Sequence, residues 1–134
     1  MTYELRAIGW VESELTDRDD APKQGDEGAP EAWIAFDPAV REAYADVAAG
    51  DALLVLTWLH LAQRDKLRVH PRSDPRRRLT GVFSTRSPDR PNPIGLHRVE
   101  VVAVDGDRIR VRDLEAVDGT PVVDVKPVLQ LDDR

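Results

Sequence analysis

Two arginines in the stretch GVFSTRSPDRPNPIGL, Gly81 to Leu96, are the side chains best suited to hold a charged ligand. A guanidinium presents a planar fork of N–H donors that clamps a carboxylate or phosphate through paired hydrogen bonds. Arg86 and Arg90 lie among Pro88, Pro91 and Pro93, and Ser87, Arg90 and Asn92 each precede a proline. Proline fixes its own φ near −65° and pushes the residue before it toward extended geometry. Such a loop is stiff before any ligand arrives and loses little entropy when it binds one. The same composition also suits a rigid turn between two strands, with an arginine locking the loop in place.

Other chemistries find less support. His60, His70 and His97 are the only imidazoles, and no spacing among them or with a carboxylate matches a metal-ligand pattern, so no metal is expected. His60 ends the most apolar stretch of the chain, which puts it at the rim of the core. The absence of cysteine excludes disulfides, a thiolate nucleophile and a cysteine-based metal site. No Gly-x-Gly-x-x-Gly or P-loop is present, and Ser84 and Ser87 lack the Gly-x-Ser-x-Gly context of a serine hydrolase.

Charge is unevenly distributed. From Arg64 to Arg98 ten Lys/Arg face three Asp/Glu, a balance of +7, whereas the remainder of the chain carries −13. One basic region on an acidic chain points to an anionic partner addressed by that region, or to a solvated loop neutralised by acidic neighbours. No apolar run is long enough to cross a bilayer, and the N-terminus MTYELRAIGWV lacks the basic start and cleavage site of a signal peptide. A cytoplasmic protein without a membrane partner is the expectation.

The elements that must position these residues read mainly as strands. With 134 residues the chain is long enough for one domain with a real core. Tyr3 to Val11 alternates, Ala32 to Phe36 is a short apolar strand, and Ala52 to His60 is an apolar run suited to a buried strand. Asp37-Pro38 starts a helix and Gly50 stops it, with Val40, Ala43, Tyr44 and Val47 at helical spacing, which predicts one short helix over about 38–49. Leu67 to His70, Leu79 to Thr85, Ile94 to Val104, Arg108 to Leu114 and Pro121 to Val125 complete the strands, the third and fourth joined by a hairpin at Asp105-Gly106. Ser13 to Glu31 and Ser73 to Arg78 read as loops. Many strands, one helix and no βαβ rhythm predict a mainly β fold, a small closed or partly open β-barrel or a sandwich.

The Gly81–Leu96 run, His60 after the Trp58-Leu59 pair, and DGTPVVDVKP from Asp118 to Pro127 resemble the TrmO (TsaA-like) family of S-adenosylmethionine-dependent tRNA methyltransferases. Ile8-Gly9 and Pro22-Lys23-Gln24 extend the resemblance to nearly the whole chain. It implies a single β-barrel methyltransferase domain over 1–134, unlike the Rossmann methyltransferases, and a homodimer binding S-adenosylmethionine near the subunit interface. The family reaction methylates N6 of N6-threonylcarbamoyladenosine beside the tRNA anticodon. Transfer to a small molecule or another acceptor, and a non-catalytic cofactor- or RNA-binding module, are the competing expectations.

Carried over by motif, the cofactor contacts fall on Lys23, Gln24, His60, Leu61, Arg86, Leu96 and the segment Arg112, Asp113, Leu114, Glu115. Arg86 suits the cofactor carboxylate, Glu115 or backbone carbonyls the cationic groups, and Leu61 and Leu96 the adenine. Methyl transfer is an in-line displacement in which alignment can supply about 7–11 kcal/mol, so a catalytic triad is not required. His60 and Asp118 are the candidate proton acceptors for the ureido N–H of the substrate. Longer family members continue into a small additional domain that assists tRNA binding. No such C-terminal domain is expected here, which leaves Arg72, Arg76, Arg77, Arg78 and Arg90 as the RNA contacts.

Overall fold

A computed structural model describes residues 1–17, 21–22 and 29–129. The described residues form eight strands: β1 (Gly9–Glu12), β2 (Ala32–Phe36), β3 (Ala52–Trp58), β4 (Arg68–Val69), β5 (Thr80–Gly81), β6 (Ile94–Asp105), β7 (Arg108–Arg112) and β8 (Pro121–Pro127). Six of them close into an antiparallel barrel in the order β1-β2-β7-β6-β3-β8, while β4 and β5 form a separate two-stranded ribbon. The expected mainly β barrel is therefore the observed one, and it is closed.

Alternation along each strand explains the closure. Inward positions carry Val11, Ile34, Val55, Val101, Ile109, Val111 and Val122, each at most 1% exposed, and β-branched residues pack well on a pleated surface. Each outward neighbour is more polar or only partly covered, as the period of two requires. β6 and β7 are joined by the tight turn expected at Asp105-Gly106, where Gly106 takes the positive φ of +60° that a two-residue hairpin loop demands.

Three local expectations are corrected. The helix is shorter than 38–49: a 3-10 turn (Pro38–Val40) leads into α1 (Arg41–Tyr44) and stops there. Asp37 caps it by accepting from Ala39 N, but the Ala48 amide, which a continued helix would give to Tyr44, goes to the Asp51 carboxylate (2.9 Å). The Tyr3–Val11 strand is confined to its end, because β1 finds its partners β2 and β8 only from Gly9 onward, and Tyr3 and Leu5 stay exposed. The Leu79–Thr85 strand is only two residues long; after Gly81 the chain turns as a 3-10 segment (Val82–Ser84), closed by Thr85 N and Oγ1 bonding back to Val82 O. No helix among the described residues is long and apolar enough to cross a membrane.

Candidate active site

The end of the barrel where β3 finishes and β6 begins collects half of the residues singled out above. Register pairs Trp58 with Ile94, and Leu59 N then donates to Pro93 O (2.8 Å), so the turn carrying His60 and Leu61 leaves β3 beside the proline-rich loop entering β6. The two loops are tied together. Arg90 N donates to Gln63 O, Gln63 N to Asp89 Oδ1, and Arg64 to both Pro91 O (2.8 Å) and Asn92 Oδ1 (3.0 Å). Arg64 also lies over the Trp58 ring, 5.1 Å from its centroid, a cation–π arrangement that closes the unit against the barrel.

Within this unit the two arginines have separate surroundings. Arg90 donates to Ser87 O (2.8 Å), Val82 O (2.6 Å) and Thr85 O (2.6 Å), which makes it the internal brace of the loop. Its fork is occupied by the protein's own carbonyls, so of the two readings open for Arg90 the geometry favours the loop lock over an RNA contact. Arg86 is exposed and its guanidinium has no hydrogen bond or ion pair among the described residues. A rigid loop thus presents one free fork. His60 and Leu61 are likewise exposed at the tip of the neighbouring turn.

The Arg112–Glu115 segment crosses the same end of the barrel. Arg112 is exposed, Asp113 has a left-handed φ of +71°, and Leu114 is fully buried as part of the core. Asp113 turns the chain so that Glu115 reaches His97, Oε1 to Nδ1 at 2.5 Å, while His97 Nε2 meets Thr57 Oγ1 at 2.6 Å. Thr57 and His97 are buried polar residues, and neither was singled out for a role by the sequence. The legible signal was the inward parity of His97, two residues from Gly95 and Val99 on one strand face.

Other candidates fall elsewhere. Leu96 projects from the outer face of β6 opposite Leu56. Asp118 sits in the turn after the Arg112–Glu115 segment and accepts from Ser13 N (3.0 Å). Lys23 and Gln24 lie outside the described residues. Arg72, Arg76, Arg77 and Arg78 are exposed on the loop between β4 and β5, where Asp74 accepts twice from Arg76 (3.1 and 3.2 Å). These bonds and the nearby Arg77 hold the Asp74 carboxyl below its ordinary range. Arg72 and Ser73 both have left-handed φ, so the loop is held in a strained turn, not an open coil. Among the described residues no group of three or more His, Asp or Glu could hold a metal ion. A cleft of about 280 Å³ beneath α1 has Asp46, Asp51 and Asp124 among its lining, which suits neither a phosphate nor a carboxylate.

Comparison with known proteins gives this arrangement a context. Residues 10–134 match the model of the tRNA-methyltransferase O N-terminal domain. The chain belongs to this family. A "Probable S-adenosyl-L-methionine-binding protein" of Methanothermobacter thermautotrophicus is 45% identical over 127 residues, covering 95% of this chain and 90% of that one. An "S-adenosyl-L-methionine-binding protein" of Archaeoglobus fulgidus is 43% identical, covering 91% and 86%. Among solved structures, one of TrmO superposes with a TM-score of 0.75 at 28% identity, and one of TrmO from Pseudomonas aeruginosa with 0.76 at 26%. The chain spans 56% and 59% of those two proteins' lengths, so family membership places the barrel and leaves the whole-protein activity to the site itself.

Proposed function

We propose that this barrel is an S-adenosylmethionine-dependent methyltransferase acting on tRNA, and that its acceptor is N6 of N6-threonylcarbamoyladenosine beside the anticodon. The observation that carries the reading is Arg86: a guanidinium without an internal partner, on a loop braced by Arg90, in a chain whose family is that of tRNA-methyltransferase O. The residues present fit the cofactor. Arg86 matches its carboxylate, Leu61 and Leu96 offer apolar surface for the adenine, and the Glu115 carboxylate is an acceptor for an ammonium or ribose hydroxyl. When bound, the cofactor supplies an activated methyl group on a sulfonium. The protein's part is alignment, which the tied loops perform, together with acceptance of the substrate proton. His60, exposed on the turn tied to Arg86's loop, is one candidate to accept the substrate proton. Asp118, the other candidate acceptor, already accepts a backbone N–H.

A homodimer is part of the same reading. The outer faces of β3 and β6 bring Leu54, Leu56 and Trp58 beside Ile94 and Leu96, an apolar strip on a barrel wall that water would otherwise cover. Leu96, a cofactor candidate, lies within that strip, so a second copy docked there would sit at the edge of the site. Incubation with methyl-labelled cofactor and tRNA from cells lacking this protein tests the whole proposal. Label on threonylcarbamoylated adenosine, from protein that sediments as a dimer, is the expected result. Label entering only a small-molecule pool, or cofactor binding without transfer, would replace it with one of the other two readings.

A further inference from the structure

Glu115 reaches the surface of the site from a buried support. Thr57 on β3 and Gly95 on β6 are register partners, and His97 follows Gly95 on the same inner face. The side chains of Thr57 and His97 are almost wholly buried, His97 at 3% exposure, while Glu115 keeps 17%. A carboxylate only accepts, so His97 Nδ1 carries the proton it shares with Glu115 Oε1, and Nε2 meets the Thr57 hydroxyl, which can give or take the second bond. Gly95 makes room for this arrangement: a Cβ there would lie 2.7 Å from His97 Nε2. The ring is thus wedged between Gly95 and Thr57, with one nitrogen directed outward at the carboxylate. Glu115 Oε2 has no hydrogen bond among the described residues.

We propose that His97 is a positioning residue: backed by Thr57, it fixes the Glu115 carboxylate so that its second oxygen receives the donor groups of the cofactor. This rests on the reading of Glu115 as a cofactor contact. An unsupported glutamate would have to lose its rotamer freedom on binding, whereas one held by a buried N–H donor is ordered beforehand. A hydrogen-bonded histidine serving packing alone would need no glutamate emerging into the site.

The test measures cofactor affinity by calorimetric titration and thermal unfolding in Glu115→Gln, His97→Leu, His97→Asn and the double variant His97→Leu/Glu115→Gln. Loss of a charge-assisted bond should weaken the cofactor about tenfold in each of the two single losses. His97→Asn, whose amide stands near the position of Nδ1, should recover most of that loss. The double variant should bind no worse than Glu115→Gln alone, because a positioning residue acts only through the group it positions. If His97→Leu does not fold, the near-isosteric Thr57→Val, which removes the hydroxyl backing His97 Nε2, carries the same comparison. Wild-type affinity in His97→Leu or in Thr57→Val, or losses that add, would overturn the positioning role while leaving the site intact. Unchanged affinity in Glu115→Gln would remove Glu115 from the site, and this inference with it.

Discussion

Arg90 gives its guanidinium to the carbonyls of Ser87, Val82 and Thr85, while Arg86, four residues earlier on the same loop, leaves its own in solvent. The two therefore answer differently to substitution. Arg86→Ala removes no interaction within the fold, so its thermal unfolding should match the wild type within the scatter of surface changes, about 0.5 kcal/mol. Its cofactor affinity should fall at least about tenfold, since hydrogen bonds to charged groups contribute about 1.5–3 kcal/mol. Calorimetric titration checks this, and an affinity equal to the wild type would dismiss Arg86 as the carboxylate clamp. Residue type and loop context marked both arginines as anion clamps, because the difference in their surroundings lies in which one folds back onto the 3-10 turn at Val82.

At the scale of elements, α1 is too short to be stable alone and depends on what it touches. Tyr44 stacks on Phe36 of β2, with ring centroids 4.6 Å apart and planes within 16°. Its hydroxyl donates to Asp107 Oδ1 in the β6–β7 hairpin, which Arg41 also approaches. The Tyr44 hydrogen bond, with the Arg41 hydrogen bond and charge, holds the Asp107 carboxyl below its ordinary range. A carboxyl depressed in the folded state contributes stability above its unfolded value and loses it as pH falls through the folded one. Tyr44→Phe should accordingly lower the denaturation midpoint at neutral pH, and the gap to the wild type should narrow below about pH 4. The phenol itself is raised, chiefly by desolvation and then by Asp107, so the gap should narrow again above about pH 10. Denaturation at a series of pH values would show it, and a gap independent of pH would exclude the coupling.

For the whole molecule, the proposed tRNA substrate raises the question of how an acidic chain with net charge −6 would approach RNA. The β4–β5 ribbon stands apart from the barrel, and its connecting loop exposes Arg72, Arg76, Arg77 and Arg78, with the Arg76 side chain 89% exposed although paired with Asp74. A surface pair of this kind contributes little and leaves the arginine available to a stronger anion. Neutralising Arg76, Arg77 and Arg78 together should weaken tRNA binding and flatten its dependence on salt by about 0.7–0.9 in log–log slope for each phosphate no longer neutralised. Filter binding across a salt series gives both quantities. An unaltered slope would move the RNA-binding surface elsewhere on the molecule.

Sequence alone carried the class of fold, because strand-like runs recur without a βαβ rhythm, and Ile109 and Val111 alternate with Arg108, Arg110 and Arg112 at the period of a half-buried strand. It also carried the stiffness of the Gly81–Leu96 loop, which is a local property of proline, and the hairpin at Gly106, which is a local property of glycine. Tertiary structure decided what local chemistry cannot encode. It stopped α1 at Tyr44 when Asp51 took the Ala48 amide, divided Arg86 from Arg90, and brought Thr57, His97 and Glu115 into one hydrogen-bonded line. Those three residues are 40 and 18 positions apart along the chain. Only closure of the barrel, which sets β3 against β6 and folds the end of β7 across them, brings them together.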